Sequence, residues 1–311
     1  MSEKYIVVAG SMNCDVIYLQ DRLPSLGETF LARSATVASG GKGANQAVQT
    51  AKLGAKTYMI AKVGNDCFGS FLSDALEHYG VDTTYVMKSS VMTGIAAVNT
   101  LPNGVYHSTV APGSNMDITA PEVDRLKLLI AGASAVILQM EIPMEINERI
   151  IRIASEAGVY IVLNAAPAAP ISEEALRLVD CLVVNESEAS YYLGTSIDTL
   201  ESARENYPPL LRKVKSTLII TLGAMGSLLC TKQGAVYYPA DKGIAALDTT
   251  GSGDSYIGAF TFLKTEGASD EEACAFASTV SQYTVRRVGG QASMPSWQEI
   301  AELWDAAKKA V

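Results

Sequence analysis

From residue 40 onward, short β-branched apolar runs alternate with segments whose apolar positions recur every three or four residues. Residues 58–61, 135–138, 159–163, 181–184 and 217–220 read as strands, their apolar residues consecutive rather than at every second position. Residues 46–53, 66–79, 144–157 and 271–286 read as helices between them, the first three stopped by Gly54, Gly80 and Gly158. Strands apolar on both faces and separated by helices predict a mostly parallel sheet covered on both sides. A first strand, residues 5–9, follows a short polar start. Two stretches break the rhythm, 14–38 and 92–113. There polar and apolar residues alternate around Pro24-Ser25-Leu26-Gly27 and Pro102-Asn103-Gly104, which are hairpin signals. They predict either two edge hairpins or one small sheet set over the ends of the main strands.

Two glycine-rich turns precede helices. Asp248-Thr249-Thr250-Gly251-Ser252-Gly253-Asp254 leads into the apolar run 257–263, which puts residues 251–254 in a helix's first turn. Free N–H groups and the positive dipole end there suit a transferring phosphoryl group. A carboxylate fixed beside that seat, Asp254, can orient an incoming hydroxyl and take its proton. The second turn is Ser39-Gly40-Gly41-Lys42-Gly43-Ala44-Asn45. Neither is a Walker A loop, since Lys42 is followed by Gly43 and Thr36 stands where the first glycine belongs. Neither is a dinucleotide fingerprint, since Tyr256 and Gln46 occupy the third positions after Gly253 and Gly43. Polar residues also follow successive strands: Asn13 and Asp15, then Glu141, Asn164 and Asn185. One such residue is usually a cap. Five at strand ends, where open α/β sheets gather ligands, are harder to dismiss and point to a ligand site.

Three signatures now stand in one order: Gly40-Gly41-Lys42-Gly43-Ala44-Asn45, Asn185-Glu186-Ser187-Glu188 and residues 248–254. With them, from about residue 4 to residue 296, the chain resembles the ribokinase-like members of the PfkB-type carbohydrate kinase family. The resemblance implies a ribokinase-like α/β fold: one domain, residues 1–311, with segments 14–38 and 92–113 forming a β-sheet lid on the sugar. It implies an ATP-dependent kinase with D-ribose the leading acceptor and ribose 5-phosphate the product. 2-Deoxyribose, fructose or a nucleoside are the rival acceptors, and a non-catalytic sugar sensor is the rival class. By the resemblance, Asn13, Asp15, Gly41, Lys42, Asn45 and Glu141 line the sugar, Asp254 is the base, and Gly251, Ser252 and Gly253 form the anion hole. Asn185, Thr221, Gly223, Gly226, Gly253 and Ser278 fall to the nucleotide. Asn185 and Glu188 hold Mg²⁺ through water. Asp248, Thr250, Thr284, Arg287, Gly289 and Ser293 match a K⁺ loop, and the lids pair two chains into a homodimer. Ser278 stands where many relatives have Asn or His, and Ala165 where many have proline. The small Ala96 and Ala97 are expected at the sugar pocket.

Composition narrows the partners. The chain has 311 residues and a net charge of −9, which disfavours nucleic acid and anionic membranes. Five cysteines are widely spaced without a C-x-x-C pair, so reduced thiols are expected. The two histidines, His78 and His107, have no partner at ligand spacing. His107 is a possible substrate contact on a lid strand. The start shows no signal peptide, and no apolar run approaches ~20 residues, so a cytoplasmic protein is expected.

Overall fold

The computed structural model describes residues 4–101, 106–241 and 243–310. Its strands are β1 (Ile6–Ala9), β2 (Asn13–Leu19), β3 (Ser34–Gly40), β4 (Thr57–Gly64), β5 (Val86–Ser89), β6 (Gly94–Thr100) and β7 (Tyr106–Ala111). Then come β8 (Ala135–Gln139), β9 (Tyr160–Asn164), β10 (Cys181–Val184), β11 (Thr217–Thr221), β12 (Gly226–Thr231) and β13 (Gly234–Pro239). The helices are α1 (Lys42–Lys52), α2 (Cys67–His78), α3 (Ala120–Arg125), α4 (Lys127–Ala131), α5 (Met144–Glu156) and α6 (Glu173–Leu176). They continue with α7 (Glu186–Leu193), α8 (Leu200–Leu211), α9 (Ser252–Thr265), α10 (Asp270–Thr284), α11 (Gly290–Ser293) and α12 (Trp297–Ala310).

Nine strands form one sheet in the order β13-β12-β11-β10-β9-β8-β1-β4-β5. It is parallel from β11 to β5, and β12 and β13 add an antiparallel edge. Every residue of β1, β8 and β10 is buried, as two covered faces require. Alternate residues serve opposite layers. Val7, Val136, Ile161 and Leu182 pack with Ile150 and Leu210, while Val8, Ile137, Val162 and Val183 pack with Phe260 and Phe276. Each such side chain contributes about 1.5–3 kcal/mol by leaving water. The chain passes from β1 to β4 on one side and later to β8 on the other. The carboxyl ends of β1 and β8 therefore flank the topological switch point, where an open sheet leaves a crevice.

The two interrupting segments do form one sheet, of order β3-β2-β6-β7. Its centre is not a hairpin contact: β2 and β6 run parallel, with β3 and β7 antiparallel outside them. Asn103 and Gly104 lie outside the described residues. Asp15 is registered with Ala38 and Ala96, and Val16 with Val37 and Ala97. Side chains alternate across a sheet, so Ala96 shares the face of Asp15 and Ala97 does not. The two alanines, expected together at one pocket, therefore point to opposite faces, and only Ala96 lies on the side of Asp15. His107 pairs with Asn99, itself opposite Tyr18, which puts it on the face away from Asp15. His78 ends α2 exposed to solvent. Cys14, Cys181, Cys230 and Cys274 are buried, Cys67 is exposed, and all are free. Among the described residues, no helix is long and apolar enough to cross a membrane.

Candidate active site

The site begins where β1 ends. Helix α1 starts at Lys42, four residues earlier than its apolar pattern predicts, because Gly41 adopts φ 93° and turns the chain into it. Its first turn presses against the loop after β1, with Ala44 N donating to Ser11 O at 2.9 Å. A Cβ on Gly43 would lie 2.7 Å from the Gly10 carbonyl carbon, so only glycine permits this approach. On the other side of that loop, Asn115 Oδ1 accepts from Met12 N at 2.9 Å, and Asn115 Nδ2 donates to Asn13 Oδ1 at 2.7 Å. That fixes the Asn13 amide: its oxygen is used, and its Nδ2 remains a donor for a ligand hydroxyl.

Asp254 stands in the first turn of α9, behind Gly251, whose φ of 75° makes the sharp entry. Its residue is 9% exposed. Oδ2 accepts from Asn45 Nδ2 at 2.8 Å and Oδ1 from Gln46 Nε2 at 2.9 Å. A helix N-terminus favours the ionised form, so a low pKa is the simplest expectation from sequence. The structure reverses it. Burial pushes the Asp254 carboxyl up, and Lys42 with the amides of Asn45 and Gln46 offsets this only in part. Gly253 is exposed at the helix end, and a Cβ there would meet open space. The fold itself does not demand glycine at 253, whereas a phosphate drawn onto the N–H groups would.

The other sugar-facing candidates converge on the same point. Asp15 is pushed up to about 7 by burial first, then by the negative charges of Glu141 and Asp254. Glu141 Oε2 accepts from Ser11 Oγ and, at 3.4 Å, from Lys42 N. Glu188, from the nucleotide-side motif, is also pushed up by burial. It feels Lys42 as an opposing charge and Asp254 as a like one. Residues from β2, α1, α7, α9 and the end of β8 thus share one electrostatic environment.

Asn185 and Glu188 form a capping box on α7. Asn185 Oδ1 accepts from Glu188 N at 2.9 Å, and Glu188 Oε2 accepts from Asn185 N at 2.8 Å. Glu188 Oε1 accepts from Asn185 Nδ2 at 3.0 Å. Asn185 Oδ1 also accepts from Ser187 Oγ at 2.8 Å, so the lone pairs that remain are on the Glu188 carboxylate oxygens, which fits water-mediated contact with a hydrated Mg²⁺ better than direct ligation. Among the described residues, no group of three or more His, Cys, Asp or Glu could cage a metal. Thr221 ends β11 beside Asn185, its hydroxyl donating to Val184 O at 3.4 Å. Gly223 opens the following turn and lies near Glu186, while Gly226 at φ 110° starts β12 tight against Tyr238 O. Ser278 is half-buried on α10, which packs along α9.

The Asp248 loop forms a second group. Asp248 Oδ1 accepts from Thr250 N at 2.9 Å and Oδ2 from Gly289 N at 2.8 Å. Burial raises this carboxyl, but the N–H groups of Gly289 and Thr250 outweigh it, and its pKa is lowered. Ser293 N donates to Gly289 O, and Thr284 O accepts from Arg287 N. The Arg287 guanidinium turns away to Glu299 at 2.8 Å, so only its carbonyl could serve a cation. These are mostly neutral oxygens with one charge, a set that fits a weakly hydrated monovalent ion.

Four buried amides lay beyond the sequence reading of the site: Gln46, Gln139, Gln291 and Asn115. Gln46 carried a signal, since it directly follows Asn45 at the start of a helix. The others gain their roles only through tertiary contact.

Residues 3–297 match the pfkB family carbohydrate kinase. The chain is 33% identical over 305 residues to the ribokinase of Haemophilus influenzae, covering 98% of this chain and 99% of that one. It is 32% identical over 299 residues to the deoxyribokinase of Salmonella typhi, covering 96% and 97%. The solved structure of Arabidopsis thaliana ribokinase complexed with ribose and ATP superposes with a TM-score of 0.89 at 31% identity, covering 97% of this chain and 99% of that one. The chain belongs to the pfkB family of carbohydrate kinases.

Proposed function

We propose that this chain transfers the γ-phosphoryl group of ATP to the terminal hydroxyl of D-ribose, giving D-ribose 5-phosphate. The observation that carries the reading is the buried Asp254 carboxylate. It stands at the N-terminus of α9, held by Asn45 and Gln46 and within electrostatic reach of Asp15, Lys42 and Glu188.

Asn13, Asp15, Gly41, Lys42, Asn45 and Glu141 bind the sugar, with Asp15 accepting from two adjacent hydroxyls. Asp254 faces the terminal hydroxyl, orients it and takes its proton. The N–H groups of residues 251–253 receive the negative charge that moves through the transferring group. In a loose phosphoryl-transfer transition state the proton leaves late, so the position of Asp254 matters more than its basicity. Its burial raises that basicity as well. Asn185, Thr221, Gly223, Gly226 and Ser278 lie along the nucleotide. Mg²⁺ bound with the nucleotide, through water to Asn185 and Glu188, would neutralise phosphate charge. A K⁺ ion at the Asp248 loop would set the conformation of the 251–253 turn. The four-stranded sheet acts as a lid that excludes water, and pairs with the lid of a second chain.

Deoxyribose is the second reading, because a deoxyribokinase relative is nearly as similar, at 32% identity, as the ribokinase one at 33%. Asn13, with Nδ2 left as a donor, favours the acceptor that has the extra hydroxyl. An ADP-release assay over pentoses, hexoses and nucleosides tests this. Ribose should give the highest kcat/KM; a higher value for deoxyribose or a nucleoside overturns the ribose assignment.

A further inference from the structure

Asp254 is not held by Asn45 alone. Gln46 Nε2 donates to Asp254 Oδ1 at 2.9 Å and to Asn164 Oδ1 at 3.1 Å, while Gln46 Oε1 accepts from Gln139 Nε2 at 2.7 Å. Gln46 and Gln139 are fully buried and Asn164 is nearly so. The chain of bonds runs on into the sheet, where Asn164 Nδ2 donates to Val183 O at 3.4 Å and Asn147 Nδ2 to Gln139 O at 2.8 Å. A carboxylate only accepts, so Gln46 must turn its NH₂ toward Asp254. Its oxygen must then face Gln139, which has to donate. The orientation of three amides is thereby set by an ionised Asp254, and they in turn tie the carboxylate to the ends of β8, β9 and β10.

We infer that Gln46 is a positioning residue for the phosphoryl transfer. It holds Asp254 Oδ1, keeps the carboxylate ionised in its buried seat and fixes its plane toward the sugar hydroxyl. This rests on Asp254 being the base. The residue differs in kind from its neighbour Asn45, which is placed against the sugar. The charged groups facing Asp254 are Lys42 on α1, Asp15 on β2 and Glu188 on α7. Losing one donor from a buried carboxylate moves its protonation upward by about one pH unit or more.

The test is Gln46→Met, which keeps length and removes the donor, assayed for kcat from pH 5.5 to 9 at saturating ribose and MgATP. Saturation keeps Asp15 and Glu188 engaged with substrates, so the acid limb of kcat reports Asp254. The expected result is a kcat loss of about 10- to 100-fold at pH 7, with the acid limb displaced upward and sugar KM within about threefold. Gln46→Glu, equal in size, is read in the same assay. Its carboxyl can bond Asp254 only when protonated, so its kcat should fall as pH rises from 6 to 8. Wild-type kcat and acid limb in Gln46→Met, or a wild-type profile in Gln46→Glu, overturn the inference. Asp254→Asn run in parallel separates the two claims. If that variant is inactive while the Gln46 variants keep wild-type profiles, only the role of Gln46 fails. If it is active, the base assignment fails first.

Discussion

Asp15 should make sugar binding sensitive to pH in the neutral range. Its carboxylate lies over the backbone of Gly40, where an added Cβ would fall 2.1 Å from Oδ2. Burial there, followed by the charges of Glu141 and Asp254, pushes its pKa up to about 7. Accepting from two sugar hydroxyls requires the ionised form, so the protonated fraction acts as enzyme unable to bind. With a pKa of about 7 that fraction is about one-tenth at pH 8 and about ten-elevenths at pH 6, so KM should rise about tenfold between them. The assay is initial-rate ADP release at varied ribose with MgATP saturating at each pH. Asp15→Asn should give a high KM that no longer changes with pH. Glu141→Gln removes one negative neighbour and should move the inflection to lower pH. Stability carries the opposite sign. The folded carboxyl binds its proton more tightly than the unfolded chain's, so its contribution to stability is lost as pH rises through about 7. Asp15→Asn should therefore melt higher than wild type at pH 8 while binding sugar worse. A KM that stays flat from pH 8 to pH 6 would refute the assignment of Asp15 to the sugar.

Three further outcomes are expected. Ribose should be preferred over 2-deoxyribose by about tenfold or more in kcat/KM, since the missing hydroxyl leaves the Asn13 amide unpaired; Asn13→Met should narrow that ratio. Turnover at saturating Mg²⁺ should rise when K⁺ replaces Na⁺, and equal rates would leave the Asp248 loop as a structural turn. Light scattering at micromolar concentration should give about twice the 32.9 kDa chain mass. The small sheet bears apolar residues on both faces, with Val37 51% exposed on one and Val110 45% on the other, and Leu31 in the β2–β3 connection is 87% exposed; such surfaces are usually covered. Phe30→Glu with Leu31→Glu should lower that mass and raise sugar KM together; a fully active wild-type monomer would defeat the pairing.

Much of the main sheet was legible because its strands are uninterrupted apolar runs with helices between them. The stretches over β8, β9, β10 and β11 agree with the structure to within a residue or two. The β12–β13 edge is harder to read, since β13 is only half-buried and the two strands are joined directly by a short turn with no helix between them. Helix α8 was hidden by Pro208 and Pro209 inside it, and α7 by its short, weakly amphipathic pattern. The parallel pairing of β2 with β6 joins segments about eighty residues apart, and hairpin signals report only on local pairs. In the site, residues marked by glycine turns or strand ends could be named from sequence. The direction of the Asp254 shift could not, because it follows from burial that only tertiary packing creates. The helix-end effect, visible in sequence, has the opposite sign.

The central claim is that Asp254 is the group that activates the sugar hydroxyl. Asp254→Asn, nearly isosteric, should fold and bind ATP as the wild type does. Measured by ADP release at saturating ribose and MgATP, with nucleotide affinity determined separately, its kcat should fall by roughly 10²–10⁴. Near-normal turnover in a variant that folds and binds ATP would contradict the account.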